Sequence, residues 1–182
     1  MTAPSFPSSK RLDLVPLTAS ILDAFSNGRL DAATQELGAK IEPGCIDDDD
    51  VAFFKRRMRA LEENPAIQPW TVRAIVLREP VRTMVGHAGF HGPPGVNGAG
   101  IAGAVEIGYT VFPGFRGSGL ATEAAAALTD WAASVHGIRH FVASIAPGNA
   151  PSEAIVRRLG FTRTGEQWDD EDGLEVVYEL VR

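Results

Sequence analysis

A glycine-rich turn in the second half of the chain has the clearest potential for chemistry. Residues 116 to 121 read Arg-Gly-Ser-Gly-Leu-Ala, between an apolar segment and an alanine-rich one. Small residues let several main-chain N–H groups converge on one anion, and a helix start adds the positive end of its dipole. The turn therefore predicts a phosphate site, and an ordinary tight turn without a ligand is the alternative.

Two common classes of phosphate-binding loop do not fit this turn. A Walker loop needs a lysine followed by serine or threonine, and no such pair occurs at the required offset. A dinucleotide-binding fingerprint needs glycine or alanine where Thr122 stands, and an acidic residue about 20 positions further on. The predicted strand 140–145 contains no acidic residue. Both classes are therefore disfavoured.

Hydrophobic periodicity and turn residues predict the elements that position the turn. Residues 1–10 are predicted to be a flexible lead-in, residues 11–182 a single domain, and the glycine-rich stretch 91–103 a mobile loop. The expected strands are residues 12–17, 70–77, 83–90, 105–112, 140–145, 161–168 and 174–181. Helices are expected over 19–40 with a break at Asn27-Gly28, over 51–61, over 121–135 and over 151–159.

The turn and its surroundings resemble a known family. Arg116, Gly119 and Ala121 match the pattern of the pyrophosphate-binding loop in GNAT-superfamily N-acetyltransferases. Further matches resemble the branch that acetylates the N-terminal alanine or serine of ribosomal proteins. These are residues 106–109, 121–124, Asn149, Ser152 and 159–161. The similarity spans roughly residues 10–182 and is densest over 104–161.

The resemblance implies a fold and a co-substrate. The expected fold class is α/β (α+β), with a mixed, mostly antiparallel central sheet of six to seven strands and about four flanking helices. The sheet is expected to splay in its middle, at the strand 105–112, where acetyl-CoA would bind with its pantetheine arm against open main-chain groups.

The resemblance also implies roles for individual residues along the cofactor. The main chain near Val111 and Phe112 would pair with pantetheine, Arg116 would add positive charge, and Asn149 and Ser152 would contact the arm. The N–H groups that would hold the diphosphate are those of Gly117, Ser118, Gly119, Leu120 and Ala121. The alternative interpretation of Arg116 is a solvated surface charge without a ligand, and that of Asn149 is a helix cap.

Acetyl transfer needs a neutral amine, because a protonated amine has no lone pair to attack the thioester. Glu106 matches a position where relatives carry the base, acting directly or through water. Its alternative is a solvent-facing strand residue or an ion-pair partner. A main-chain N–H near Val111 could stabilise the oxyanion.

The leaving thiolate needs a proton, and Ser152 matches the hydroxyl that supplies it in the ribosomal-protein branch. Its alternative is a helix N-cap. Another branch of the family uses a tyrosine where this chain has Val156, so that mechanism is absent here. Tyr109 is interpreted as a core or cofactor-side wall residue.

The implied function is acetyl transfer from acetyl-CoA to a primary amine in a ternary complex. The acceptor would be a protein N-terminal α-amine or a small cationic amine, which the acidic loop 169–172 could attract unless it is only a solvated turn. A non-catalytic acetyl-CoA sensor of the same fold is the alternative function, and a homodimer is an open alternative for the assembly.

Composition and charge bound the remaining choices. The 182 residues carry a net charge of -6, which argues against nucleic acid as the partner. A single cysteine, no signal peptide and no long apolar run predict a cytoplasmic protein without membrane spans.

No metal is expected, since the acidic run 47–50 fits a helix N-terminus better. His87, His91, His136 and His140 are interpreted as structural.

Overall fold

The chain folds around one seven-stranded sheet flanked by helices. The structure is a computed structural model that describes residues 6–170 and 173–182. Its strands are β1 (Leu12–Pro16), β2 (Arg73–Leu77), β3 (Thr83–Phe90), β4 (Val105–Val111), β5 (His140–Ile145), β6 (Thr162–Asp169) and β7 (Gly173–Val181). Its α-helices are α1 (Ala19–Ser26), α2 (Leu30–Leu37), α3 (Asp48–Glu63), α4 (Leu120–His136) and α5 (Ala150–Arg158). Short 3-10 helices cover Pro65–Trp70 and Pro113–Phe115.

The strand order is β1-β2-β3-β4-β5-β7-β6, and every neighbouring pair is antiparallel except β4 and β5. A parallel pair needs a crossover, and α4 supplies it. The chain therefore leaves β4 and β5 at the same edge of the sheet. The turn before α4 and the turn before α5 lie at that common edge.

Two apolar layers hold the helices on opposite faces of the sheet. Helices α1, α2 and α3 pack on one face through a cluster that includes Phe25 and Phe54, whose rings stack 4.9 Å apart. Helix α4 packs on the other face, where Ala124, Ala125 and Ala132 are fully buried. Alanines let this helix approach the strands closely, which fixes the position of its first turn.

The sheet opens between its two parallel strands. Strand β4 pairs with β5 only at Val105–Phe141 and Glu106–Val142, whereas its pairing with β3 continues to Val111. Beyond Glu106 the two strands diverge, and the edge of β4 that faces β5 is open. We call this opening the wedge. It confirms the splay that was predicted for the strand 105–112.

The predicted fold class and the seven predicted strands are confirmed, except that β2 begins at Arg73 because Trp70 belongs to the 3-10 helix before it. The described residues contain five α-helices where about four were expected, because the predicted break at Asn27-Gly28 separates α1 from α2. The glycine-rich stretch was expected to be mobile. In the structure the Asn97 side chain ties it by hydrogen bonds to the N–H and C=O of Ile101 and to the C=O of Ala104.

The predicted lead-in divides into two parts. Residues 1–5 lie outside the described residues. Residues 6–10 hydrogen bond to the domain, since the Leu14 N–H donates to Pro7 and the Ser9 hydroxyl donates to Glu123 at 2.6 Å. The expected flexibility therefore does not fit residues 6–10.

Candidate active site

The glycine-rich turn presents a helix start without a side-chain cap. Gly117 and Gly119 have φ angles of +78° and +77°, a left-handed conformation that favours glycine. Gly119 is the N-cap of α4, and no side chain accepts a hydrogen bond there. The first N–H groups of a helix have no partner inside it. Together with the helix dipole, they make this turn suited to an anion such as a diphosphate.

Residues that precede β1 stabilise the turn by hydrogen bonds. The Arg11 guanidinium donates to the Ser118 carbonyl oxygen at 3.1 Å and to the Glu123 carboxylate at 2.6 Å. Burial alone would raise the pKa of Glu123, but hydrogen bonds from Ser9 and Arg11 outweigh it and hold this pKa below its usual value. Glu123 is therefore charged at neutral pH. These contacts of Ser9 and Arg11, which precede β1, with the first turn of α4 fix the shape of the turn.

Arg116 and Phe112 bond within the protein in ways that the sequence did not indicate. The Arg116 Nε donates to the Val111 carbonyl oxygen at 2.8 Å, so this side chain points back towards the end of β4. The Phe112 N–H donates to Val85, and its carbonyl accepts from Phe115, both at 2.9 Å. Both main-chain groups of Phe112 are thus engaged, which argues against the pantetheine pairing expected there.

Asn149 and Ser152 lie across the wedge from β4. The Asn149 Oδ1 accepts the Ser152 N–H at 3.3 Å, so Asn149 caps α5, as its alternative interpretation held. The Tyr109 hydroxyl donates to the Ser152 carbonyl oxygen at 3.4 Å. Burial raises the pKa of Tyr109 to about 12, so its hydroxyl is protonated at neutral pH. The wedge is therefore bordered by two hydroxyl-bearing residues.

Glu106 lies at the start of β4, where the wedge closes. The residue is only 1% exposed, and its Oε2 accepts the Gly98 N–H at 2.7 Å. The His91 Nδ1 lies 3.6 Å from the same oxygen. The alternative of a solvent-facing strand residue is therefore wrong. The glycine-rich stretch covers this carboxylate, and His91 is its ionisable neighbour there.

A cavity of about 330 Å³ lies between α3 and the strands β3 and β4. Burial raises the pKa of the Cys45 thiol on its wall, so this thiol is not an ionised nucleophile at neutral pH. The cavity lies against residues 108–110 of β4, the segment whose edge facing away from β3 borders the wedge. Its further lining includes Asp47, Asp49, Asp50, Phe53, Arg57, His87, Phe90, His91 and Arg116.

A buried pair forms one wall of this cavity. The His87 Nε2 lies 2.9 Å from the Asp50 Oδ1, and the Phe53 ring stacks on the imidazole at 4.9 Å. The N-terminal capping of α3 by Asp47 and Asp50, expected from the acidic run, is confirmed. The partner of His87 was missed, because 37 residues separate it from Asp50. Among the described residues no group of three or more His, Cys, Asp or Glu could hold a metal ion.

Comparison with known proteins identifies the class that the wedge and the turn define. Residues 11–162 match the model of the acetyltransferase (GNAT) domain. The chain therefore belongs to the GNAT acetyltransferases, enzymes that use acetyl-CoA as co-substrate. None of the curated proteins compared with the chain matches it. Within the described residues, no helix is long and apolar enough to cross a membrane.

Solved structures share the fold over nearly the whole chain. An acetyltransferase from Agrobacterium tumefaciens is 23% identical, with a TM-score of 0.62 and coverage of 100% of this chain and 97% of its own. The ribosomal-protein-S5-alanine acetyltransferase from Vibrio fischeri is 15% identical, with a TM-score of 0.66 and coverage of 98% and 97%. Mycobacterium smegmatis RimJ, in complex with CoA-disulfide, is 21% identical, with a TM-score of 0.63 and coverage of 93% and 81%.

Proposed function

We propose that this enzyme transfers the acetyl group of acetyl-CoA to a primary amine that enters through the cavity between α3 and β3–β4. The observation that carries the proposal is the shared strand segment 108–110. One edge of this segment borders the wedge, and the cavity lies against the same residues. A thioester in the wedge and an amine in the cavity would meet at β4.

The co-substrate would lie along the wedge with its diphosphate at the turn. The N–H groups of residues 117–121 at the uncapped start of α4 would hold the diphosphate. The pantetheine arm would pair with the edge of β4 that β5 leaves open, and α5 would close the other side through Asn149. Arg116, which bonds to the Val111 carbonyl oxygen, would contribute charge near the mouth.

The acceptor is an amine that is protonated, and therefore cationic, before it reacts. It is either a protein N-terminal α-amine or a small amine. The aspartates 47 and 49 on the cavity lining would attract it. An α-amine is favoured chemically, because its pKa of about 8 leaves more neutral amine at pH 7 than a lysine at about 10.4. A fold shared with the ribosomal-protein acetyltransferase from Vibrio fischeri agrees with that choice. A cytoplasmic location is a further prediction of the sequence, and a homodimer is an open alternative for the assembly.

The test is a thiol-release assay against a panel of amines, with acetyl-CoA binding measured separately by calorimetry. The panel contains peptides with a free N-terminus, the same peptides Nα-acetylated but carrying a lysine, polyamines, aminoglycosides and amino acids. Saturable release with at least one amine, and mass spectrometry of an acetylated product, would support the proposal. Binding of acetyl-CoA without transfer to any amine would overturn it.

A further inference from the structure

His91 lies between the buried Glu106 carboxylate and the cavity. Its Nδ1 is 3.6 Å from the Glu106 Oε2, and its side chain is 48% exposed whereas that of Glu106 is 1% exposed. His91 lines the cavity, and Glu106 is not among the described residues that line it. An amine in the cavity would therefore meet the imidazole before it could reach the carboxylate.

Glu106 is held away from the cavity by the main chain that covers it. Its Oε2 accepts the Gly98 N–H at 2.7 Å, and the Asn97 hydrogen bonds keep the covering stretch closed. At 3.6 Å the two groups are too far apart for a hydrogen bond, but a buried carboxylate at this distance stabilises the imidazolium when the ring takes up a proton. This arrangement suits Glu106 to act through His91.

The main chain of His91 is fixed from two sides. Its main-chain N–H donates to the Glu106 carbonyl oxygen at 2.9 Å, and the Arg57 guanidinium donates to its carbonyl oxygen at 3.0 Å. A Cβ atom on Gly108 would lie only 3.3 Å from the His91 Nε2. The imidazole therefore lies against β4 at the segment where the cavity and the wedge meet.

We propose that His91 is the general base of the acetyl transfer and that Glu106 is its positioning residue. The assignment rests on the proposed function. The Nε2 of His91 accepts one proton from the ammonium group, and the neutral amine attacks the thioester carbon. As the tetrahedral intermediate collapses, the C–S bond breaks and the second amine proton passes to the thiolate. The imidazolium then releases its proton to water.

Several charged groups face the imidazole and bear on its titration. Glu106 lies on β4, Arg57 on α3, and the buried pair of Asp50 and His87 joins α3 to β3 on the same cavity wall. Because the Glu106 carboxylate lies 3.6 Å from a ring nitrogen and is shielded from water, its removal should have the largest effect on the imidazolium. Further titratable groups on the cavity lining include Cys45, Asp47, Asp49, Tyr109 and Arg116.

The experiment compares the unmodified enzyme with H91Q and E106Q on the amine that reacts fastest in the panel. H91Q should lower kcat/KM by about 10²-fold or more, as expected for loss of a general base, and should abolish the acidic limb of the pH–rate profile. E106Q should move the midpoint of that limb to lower pH, and the NMR titration of the His91 ring in the free protein should move in the same direction. Neither variant should change the Kd for acetyl-CoA more than twofold.

The matched control is H140Q, because His140 forms another histidine–glutamate pair, with Glu179, outside the cavity. It should retain full activity. If H91Q keeps kcat/KM within twofold, or if E106Q leaves the His91 titration unmoved, the assignment of base and positioning residue is wrong while the acetyltransferase function stands. If the unmodified enzyme acetylates no amine, the proposed function fails, and the role of His91 fails with it.

Discussion

The imidazole of His87 and the carboxylate of Asp50 lie 2.9 Å apart, and both side chains are about nine-tenths buried. Burial alone would raise the pKa of Asp50. Hydrogen bonds from His87 and from the main chain of Asp47 outweigh that effect and hold the pKa of Asp50 below its usual value of 3.8. The pair joins the first turn of α3 to β3, so it shapes the cavity and stabilises the fold at once.

We expect D50N to lower the free energy of unfolding by about 1–3 kcal/mol at pH 7, because the buried imidazole loses a charged partner and the capping box loses its carboxylate. A carboxyl group with a lowered pKa in the folded state stabilises the protein above its unfolded-state pKa, and this contribution is lost as the pH falls through the folded value. The difference between D50N and the unmodified protein should therefore shrink below about pH 4. Urea unfolding at pH 7 and pH 3.5 measures both effects.

D48N is the matched control for that experiment, since Asp48 lies in the same first turn of α3 but is exposed. It removes the same charge from the helix N-terminus without touching His87. A loss for D48N as large as that for D50N would mean that the helix dipole, and not the buried pair, accounts for the effect.

The conformation of Gly119 predicts a change in cofactor affinity. Alanine at a φ of +77° costs about 1 kcal/mol or more. Relief of that strain would turn the first N–H groups of α4 away from the diphosphate that they would bind together. We expect G119A to raise the Kd for acetyl-CoA about tenfold, equivalent to about 1.4 kcal/mol. Calorimetry with acetyl-CoA and with free CoA measures the change.

G114A provides the comparison, because Gly114 belongs to the same connection but is not among the glycines with positive φ. A Cβ atom there would meet nothing within 4 Å. Its affinity for acetyl-CoA should match that of the unmodified enzyme. Equal affinities for G119A and G114A would show that the turn does not hold the diphosphate.

The sequence predicted the elements of this fold because their signals are local. The break at Asn27-Gly28, the aspartate cap before α3 and the glycines of the turn each act within a few residues. The family resemblance added the splay of the sheet. The resemblance could not predict which main-chain groups are already hydrogen-bonded inside the protein. The N–H of Phe112, for example, donates to the Val85 carbonyl oxygen.

The contacts of His87 with Asp50 and of His91 with Glu106 could not be predicted, because they depend on how separate segments of the chain pack and pair. His87 meets Asp50 only because α3 packs over β3, and a shift in strand pairing between Ile75 and Val76 sets the position of β3. His91 lies beside Glu106 because β3 pairs with β4, where Phe90 is opposite Ile107 and the main-chain N–H of His91 donates to Glu106. A single sequence shows none of these long-range contacts.

Two glycines of β3 lie where other main-chain segments approach closely. A Cβ atom on Gly86 would lie 2.1 Å from the Thr110 carbonyl oxygen, and one on Gly89 would lie 2.5 Å from the Thr71 carbonyl oxygen. Backbone cannot move aside as a side chain can, so we expect G86A and G89A each to cost about 3 kcal/mol or more. Thermal and urea unfolding measure the loss.

A third strand glycine tests whether this cost comes from the close approach. Gly165 lies on the edge strand β6, where a Cβ atom would meet nothing within 4 Å. G165A should change the free energy of unfolding by no more than about 0.5 kcal/mol. If G86A were as stable as G165A, the close packing of β3 against β4 in this structure would be wrong.

The leaving thiolate offers a test of the two hydroxyls beside the wedge. S152A removes a hydroxyl but keeps the carbonyl that accepts from Tyr109 and the N–H that Asn149 caps. The fold should therefore be unchanged. If Ser152 protonates the thiolate, kcat should fall by about 10²-fold, the lower end of what acid catalysis contributes.

Y109F is the matched variant, because it removes the other hydroxyl at the same place and sacrifices only the 3.4 Å hydrogen bond to Ser152. Burial raises the pKa of Tyr109 to about 12, so this hydroxyl also keeps its proton throughout the neutral range. The hydroxyl nevertheless donates this proton in a hydrogen bond to the Ser152 carbonyl oxygen. We therefore expect Y109F to retain kcat within a few-fold, and a large loss in Y109F with none in S152A would transfer the acid role to the tyrosine.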